Sequence, residues 1–223
     1  MTYYPLIIVF IMAVLNWIAV YKRSKTLEYI FKPATMLALL FWIWQSVGLG
    51  GLMLWFTIGV VFCLAGDVFL MIPRNLFIFG LISFLLGHIA YIIGLNNQLP
   101  YFNMLGAALT VLLGIYMWWL YPKLVAGLNS KGKGGLRIPV LIYSLVISIM
   151  VYSAWMTWTR SDWQAMASLA VSLGAVLFFI SDSILAWDRF VNPLSNARLK
   201  TMVTYHLGQI GIILGAILHL SLK

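Results

Sequence analysis

The chain has 223 residues, of which 63% are hydrophobic and 9% are charged. Globular domains are roughly half apolar and about one quarter charged, so this composition cannot build a water-soluble surface. The net charge of +9 is spread over short loops between apolar runs, which argues against a nucleic-acid-binding patch. These runs have helical length, because a bilayer core of about 30 Å takes about 20 residues per helical pass. The composition therefore predicts an all-α membrane protein.

Apolar runs bounded by charged residues, proline and asparagine predict one domain, a bundle of eight transmembrane helices. The predicted helices span residues 5–21, 33–48, 50–72, 76–95, 101–121, 138–157, 163–187 and 201–221. Two polar connections, residues 21–32 and 122–137, are predicted to be flexible basic loops. The first run opens without basic residues and lacks a small-residue cleavage pattern, so we expect a retained helix and not a signal peptide.

The basic residues predict the orientation of the bundle. Twelve of the 14 lysine and arginine residues fall in the loops after helices one, three, five and seven, and only Arg160 and Lys223 fall on the other side. Loops rich in lysine and arginine face the cytoplasm. We therefore expect both termini on the non-cytoplasmic side, in a bacterial inner membrane.

Two aspartates lie inside predicted membrane helices. A charge within a membrane helix costs a few kcal/mol on insertion scales, so such residues are candidates for function. Asp67 lies about 9 Å from the cytoplasmic end of helix three, at a rise of 1.5 Å per residue. Asp182 lies about 8 Å from the same end of helix seven by the same measure. The two carboxylates are thus predicted to share a level, where they are candidate catalytic residues.

Other polar side chains fall near this level and are candidates for positioning substrate or water. Helix eight begins on the cytoplasmic side and contributes three of them. His88 and Tyr91, three residues apart on one face of helix four, lie nearer the middle of the membrane. The remaining candidates are Tyr205, His206, Gln209, Asn16 and Ser181. Because the outer half has few hydrogen-bonding groups, the sequence predicts a polar cavity in the cytoplasmic leaflet.

A weak internal repeat relates the two halves of the chain. Each half begins with a helix, a basic loop and a second helix. The third helix has an aspartate near its C-terminal end, and the fourth helix contains His or Gln. Residues 66–70 (Gly-Asp-Val-Phe-Leu) resemble residues 181–185 (Ser-Asp-Ser-Ile-Leu). Four helices per half would make the halves parallel, about an axis along the membrane normal. Such an axis would bring Asp67 and Asp182 face to face.

Simpler structural roles compete with these functional interpretations. Each aspartate could be a structural carboxylate tied to a lysine, a tyrosine or a helix end. Lys32 and Arg74 could bind a lipid phosphate, or they could be topology signals whose charges reach the interface. No histidine pair has the i, i+4 spacing of helical zinc sites, so we expect neither a metal nor another cofactor.

Four separate motifs, in order, resemble the signature motifs of the YhhN, or lysoplasmalogenase, family of membrane proteins. They occupy residues 66–70 (Gly-Asp-Val-Phe-Leu), 84–91 (Phe-Leu-Leu-Gly-His-Ile-Ala-Tyr), 180–186 (Ile-Ser-Asp-Ser-Ile-Leu-Ala) and 205–209 (Tyr-His-Leu-Gly-Gln). The resemblance implies an eight-helix enzyme that hydrolyses the vinyl ether bond of lysoplasmalogens. The products are a fatty aldehyde and glycerophosphocholine or glycerophosphoethanolamine, and the lysophospholipid would enter from the cytoplasmic leaflet.

This chemistry suits a pair of aspartates. Two carboxylates close together in a low dielectric do not both ionise easily, so one can donate a proton while the other stays charged. In this hypothesis Tyr205 and Gln209 position water or the ether oxygen. The alternatives are another intramembrane lipid hydrolase, metal-dependent or amidase-like, a small proton-coupled transporter, and a scaffold for lipid enzymes. A closed outer half with an open inner pocket would favour the enzyme.

Overall fold

The computed structural model describes residues 4–72, 76–98 and 103–221. These residues form eight long helices, each apolar and long enough to cross a bilayer, and contain no strand. The chain is therefore an integral membrane protein, and the predicted all-α fold is confirmed. The helices are α1 (Tyr4–Tyr21), α2 (Lys25–Val47), α3 (Met53–Met71), α4 (Phe77–Leu95), α5 (Met104–Ser130), α6 (Arg137–Trp155), α7 (Ala165–Ala186) and α8 (Ala197–Leu220).

Helix α2 begins at Lys25 and not at residue 33, so the prediction of a loop over residues 21–32 is wrong. Two charged residues of this first part, Glu28 and Lys32, are paired. The Glu28 carboxylate lies 2.6 Å from the guanidinium of Arg198, and Lys32 is buried against Asp67. A prediction from hydropathy places the end of a helix at charged residues, because hydropathy contains no information about their ion-pair partners. Helix α2 therefore carries a lysine into the bundle.

The predicted loop over residues 122–137 is also largely helical. Helix α5 continues through Pro122 to Ser130, and its last turns bury Leu124 and Leu128 in a small cluster with Phe190. A 3-10 turn, Gly134–Leu136, then leads into α6. At the other side of this cluster, α7 does not end at Ala186 but passes into a π-helical turn, Trp187–Val191. Pro122 has no backbone N–H and therefore removes one hydrogen bond of α5. The burial of Leu124 and Leu128 in the following turns offsets this loss.

The helix neighbours agree with two parallel four-helix halves. In the first half α1 packs on α2, α2 on α3 and α3 on α4, and the second half repeats these pairings from α5 to α8. Between the halves, the contact of α2 with α8 has a counterpart in that of α6 with α4. Helices α3 and α7, which carry the two aspartates, therefore occupy corresponding positions.

The interface between α7 and α8 depends on glycines that allow the two backbones to touch. A Cβ atom added at Gly174 of α7 would lie 2.4 Å from the backbone nitrogen of Ile212 on α8. Small residues at such crossings allow membrane helices to approach closely. Since α7 carries Asp182 and α8 carries Tyr205, this contact fixes the relative height of two site residues.

We expect Gly174→Ala to destabilise the protein by about 1 to 3 kcal/mol, because the methyl group meets backbone that cannot rotate away. Gly114→Ala in α5 is the matched control, since an added Cβ there has no heavy atom within 4 Å. The apparent melting temperature of the purified proteins in detergent checks the prediction. Equal melting temperatures for the two variants would show that the helices can separate at little cost.

The end of the bundle away from the aspartates is closed by a buried arginine. Arg160, in the turn between α6 and α7, is 8% exposed and donates to the carbonyl of Leu95 and to Oδ1 of Asn96 (2.9 Å). Asn96 in turn donates to Ser153 Oγ at 2.8 Å. Burial lowers the pKa of Arg160, and the carboxylate of Asp162 partly offsets this effect. These contacts tie the end of α4 to α6 and the α6–α7 turn.

Candidate active site

Asp67 is held by a lysine and a tyrosine. Its Oδ1 lies 2.9 Å from Lys32 Nζ on α2, and its Oδ2 accepts a hydrogen bond from the Tyr205 hydroxyl on α8 at 2.9 Å. Side chains lean toward the N-terminus of their helix, and α3 runs opposite to α2 and α8. The three groups therefore meet from opposite directions. We call this group the Asp67 cluster; only 1% of the Asp67 side chain is exposed.

Asp182 is held by a tyrosine and a histidine. The Tyr143 hydroxyl on α6 donates to Asp182 Oδ2, and His88 Nε2 on α4 lies 3.4 Å from the same oxygen. The same nitrogen of His88 lies 3.0 Å from the Tyr143 hydroxyl oxygen, so the three groups are mutually within reach. We call this group the Asp182 cluster. The Asp182 side chain is 15% exposed, which distinguishes it from Asp67.

The two clusters are formed by corresponding helices of the two halves of the chain. The partners of Asp67 come from α2 and α8, and those of Asp182 come from the counterpart helices α6 and α4. The residue types differ, because a lysine and a tyrosine hold one carboxylate whereas a tyrosine and a histidine hold the other. One scaffold thus presents two carboxylates in chemically different surroundings.

A polar cavity of about 280 Å³ contains both carboxylates in its wall. Tyr205 also lines it, and it extends to the helix ends where Glu28, Asp188 and Arg198 lie. Aromatic rings pack between the clusters: the Phe178 ring is centred 4.7 Å from that of His88 and 5.2 Å from that of Tyr205. Each carboxylate thus takes its hydrogen bonds from its own partners. That the two share a proton stays a prediction.

A smaller apolar cavity, of about 60 Å³, lies between α4, α5, α6 and α7 and meets the polar one. Side chains such as Leu81, Leu120 and Ile147 line it. The two cavities share Asp182, Phe84 and Arg189 among their lining residues, so Asp182 lies where polar and apolar space meet. Beyond Met117, which lines both spaces, a lateral groove between α5 and α6 continues the apolar cavity.

Four predicted positioning residues, Tyr91, Gln209, His206 and Asn16, lie behind the clusters and do not contact the carboxylates. Gln209 Oε1 accepts from the Tyr91 hydroxyl at 2.6 Å, and His206 Nδ1 accepts from Trp17 Nε1 at 3.1 Å. Asn16 is fully buried in α1, and neither of its amide atoms has a hydrogen-bond partner among the described residues. The geometry therefore brings Tyr205 and His88, but not these four, to the carboxylates.

Ser181 lines the polar cavity but its hydroxyl donates to the carbonyl of Thr201 at 3.0 Å. Of the two predicted phosphate-binding cations, Lys32 is 4% exposed and ion-paired with Asp67, so its charge is already compensated. Arg74 lies outside the described residues. Among the residues that are described, no three His, Cys, Asp or Glu side chains are grouped closely enough to hold a metal ion.

Two residues that line the cavities, Tyr143 and Arg189, are not among the candidates predicted from the sequence. Arg189 is one of the twelve basic residues that predict the orientation. Arg189 follows Asp182 by seven residues, which is two helical turns and hence the same face of a helix. That spacing is the signal in the sequence that connects Arg189 with the carboxylate.

Comparison with known proteins identifies the family to which the chain is similar. The sequence profile of the YhhN family matches residues 27–216. The chain is 32% identical to lysoplasmalogenase TMEM86B of Mus musculus over 222 residues, covering 98% of this chain and 88% of the mouse protein. It is 30% identical to lysoplasmalogenase TMEM86B of Rattus norvegicus, covering 98% and 85% of the two chains.

A bacterial relative matches a shorter part of the chain. The chain is 31% identical to the lysoplasmalogenase of Mycobacterium bovis over 157 residues, which cover 67% of this chain and 54% of the bacterial protein. No solved structure matches the chain.

Proposed function

Because this chain belongs to the YhhN family, we propose that it hydrolyses the vinyl ether bond of lysoplasmalogens, the activity for which its relatives are named. The products are a fatty aldehyde and glycerophosphocholine or glycerophosphoethanolamine. The observation that carries the proposal is the position of Asp182 where a polar and an apolar cavity meet. A lysolipid has its ether linkage at the same kind of boundary, between head group and chain.

Hydrolysis of a vinyl ether needs an acid and then water. A proton adds to the outer carbon of the double bond, and the ether oxygen stabilises the resulting oxocarbenium ion. Water attacks the carbon next to oxygen and loses a proton, which gives a hemiacetal. The hemiacetal then breaks into an aldehyde and an alcohol, so that one water is consumed and the proton is returned. General acid catalysis contributes about 100- to 10,000-fold to such steps.

We assign the acid role to Asp182 and the charged role to Asp67. The outer carbon belongs to the hydrocarbon side of the substrate, and Asp182 is the carboxylate that borders the apolar cavity. The Tyr143 hydroxyl donates to Asp182, and His88 Nε2 lies 3.4 Å from the same oxygen, so that both can stabilise the carboxylate left after proton transfer. Asp67 is paired with the Lys32 ammonium, which offsets the cost of burying a charged carboxylate. Its partner Tyr205 lines the polar cavity and is placed to orient the attacking water.

The cavities suit a lipid with one chain. In this proposal the hydrocarbon chain occupies the apolar cavity and continues past Met117 into the groove between α5 and α6. That groove lies against lipid, because the outer face of α5 exposes Leu112, Ile115 and Trp118. The head group occupies the polar cavity. Burial of the chain contributes about 0.8 kcal/mol per methylene group.

The far end of the bundle favours an enzyme over a transporter. Arg160 and Asn96 close the turn there, and large side chains such as Trp42, Phe56 and Leu39 fill the core between that end and the carboxylates. A transporter requires access from both sides of its binding site. The described residues offer the aspartates a cavity at one end of the bundle.

We also propose that the cavity end faces the cytoplasm of a bacterial inner membrane. In the sequence, twelve of the 14 lysine and arginine residues belong to the helix ends and connections of this side, which supports that orientation by the positive-inside rule. Both termini then lie on the non-cytoplasmic side, and the substrate comes from the cytoplasmic leaflet. Labelling of single cysteines introduced at Lys25 and Thr159, in intact cells, tests the orientation.

The proposed activity predicts aldehyde from vinyl ether lipid and from no ester lipid. Purified protein is incubated with a lysoplasmalogen and, in parallel, with an ester lysophospholipid of equal chain length and head group. Mass spectrometry should find fatty aldehyde in the first reaction and no fatty acid in the second. Addition of a chelator should leave the rate unchanged if hydrolysis depends on the carboxylates alone. Release of fatty acid from the ester lipid at a comparable rate would contradict the proposed bond specificity.

A further inference from the structure

Arg189 lies at the junction of the two cavities and has no place in the chemistry above. It belongs to the π turn that extends α7 and lines both the polar and the apolar cavity. Two helical turns separate it from Asp182, so about 10 Å of helix axis lies between their backbones. The arginine is therefore placed on the head-group side of the candidate acid.

Among the described residues, the guanidinium of Arg189 has no anionic partner. Its Cζ lies 4.0 Å from the centre of the Phe77 ring, which is a cation–π contact. Nε is buried and has no hydrogen-bond partner, and no described carboxylate lies within ion-pair distance. Asp188, the neighbouring carboxylate, accepts a hydrogen bond from the backbone amide of Leu194 at 2.8 Å.

The other basic residues near the cavity are already engaged. Lys32 is paired with Asp67, and Arg198 lies 2.6 Å from the Glu28 carboxylate. Lys131 donates to the carbonyl oxygen of Arg189 itself at 2.9 Å. Among the described residues that line the polar cavity, Arg189 is thus the cation whose charge is not compensated. An anion that enters this cavity can therefore pair with Arg189 without displacing another carboxylate.

The π turn holds Arg189 in a fixed place. The backbone amide of Asn192 donates to the carbonyl of Trp187 at 3.1 Å, which closes the turn. On its other side the turn lies against Gly127 of α5, where a Cβ would come within 1.9 Å of the Phe190 carbonyl oxygen. π turns within helices are frequent at functional sites. The backbone that carries the arginine is therefore held by a hydrogen bond within the turn and by the packing of the turn against α5.

We propose that Arg189 binds the phosphate of the lysophospholipid head group. The planar guanidinium offers paired N–H donors that match two phosphate oxygens, which a lysine ammonium does not. This inference depends on the proposed function for its substrate class, and it replaces Lys32 by Arg189 as the residue that recognises phosphate. Arg189 is a binding residue, so its loss should raise KM more than it lowers kcat.

The test measures binding of two lipids that cannot be hydrolysed at a vinyl ether. One is a saturated 1-alkyl lysophosphocholine, and the other is the phosphate-free 1-alkylglycerol with the same chain. Binding to the purified full chain in detergent is followed by intrinsic tryptophan fluorescence. Arg189→Gln should weaken binding of the phosphate lipid by about 10- to 100-fold, since a charged hydrogen bond is lost, and leave alkylglycerol binding unchanged. Arg189→Lys should recover part of the loss.

Lys123→Gln is the matched control, because Lys123 is a half-buried cation that stacks on Trp119 and lines neither cavity. It should bind both lipids as the unaltered chain does. Equal weakening of both lipids by Arg189→Gln, or no weakening of either, overturns the proposal. Displacement of the phosphate lipid by inorganic phosphate alone would also overturn it, by revealing a free-anion site. Because neither lipid has a vinyl ether, a failed aldehyde assay would not change this result.

Discussion

Replacement of Asp182 by asparagine is expected to lower turnover of a lysoplasmalogen by about 100- to 10,000-fold, the usual contribution of general acid catalysis. The amide is nearly isosteric with the carboxylic acid but cannot give a proton to carbon. It can still accept the hydrogen bond from Tyr143, so the bundle should stay folded. The measurement is the initial rate of aldehyde formation by purified protein, with the melting temperature as the test of folding.

Asp188→Asn is the matched control for this prediction. Asp188 is another carboxylate of the polar cavity, outside the two clusters, and an asparagine there retains the oxygen that accepts from the Leu194 amide. Its rate should stay within about threefold of the unaltered enzyme, because the substitution keeps this hydrogen bond and leaves both clusters unchanged. Near-normal turnover by folded Asp182→Asn protein would remove Asp182 from the role of acid.

Replacement of Lys32 by methionine is expected to destabilise the protein by about 3 to 5 kcal/mol, because it leaves the Asp67 carboxylate buried without a partner. The double variant Lys32→Met, Asp67→Asn removes both charges and should regain most of the stability. It should remain inactive, however, if the charge of Asp67 or its hold on Tyr205 is needed for hydrolysis. Apparent melting temperatures and aldehyde formation, measured on the same preparations, separate the two effects.

Lys25→Met serves as the control for the same substitution on the same face of α2, seven residues earlier. Lys25 is exposed at the start of the helix, so its loss should change stability by less than about 0.5 kcal/mol. A folded, fully active double variant would show that the Lys32–Asp67 pair is structural only. An unchanged melting temperature in Lys32→Met alone would mean that Asp67 is not charged in the folded protein.

The fold and the level of the two carboxylates could be predicted from the sequence because both follow from one-dimensional patterns. Run lengths give the helices, basic residues give the alternation of loops, and the rise per residue gives the depth of Asp67 and Asp182. Both aspartates do line one cavity. These patterns do not depend on which helix stands beside which.

The partners of each carboxylate could not be predicted, because they depend on which helices pack together. In addition, a prediction from hydropathy ends a helix at charged residues and so places a buried lysine outside it. Lys32 was expected in a loop at a lipid phosphate, yet it lies within α2 against Asp67. His88 was expected deeper than Asp182. The two nevertheless meet, because their side chains lean toward each other along antiparallel helices. The π turn that presents Arg189 has no signature in hydropathy.

The two cavities that meet at Asp182 have a consequence for what happens after the bond breaks. In the proposed reaction the head group is released as a small polar molecule on the side of the helix ends, from which it can diffuse into water. The aldehyde keeps the hydrocarbon chain, and at about 0.8 kcal/mol per methylene group it stays in the membrane. The products therefore part into different phases, which opposes their recombination. An enzyme that consumes this aldehyde must collect it from the bilayer.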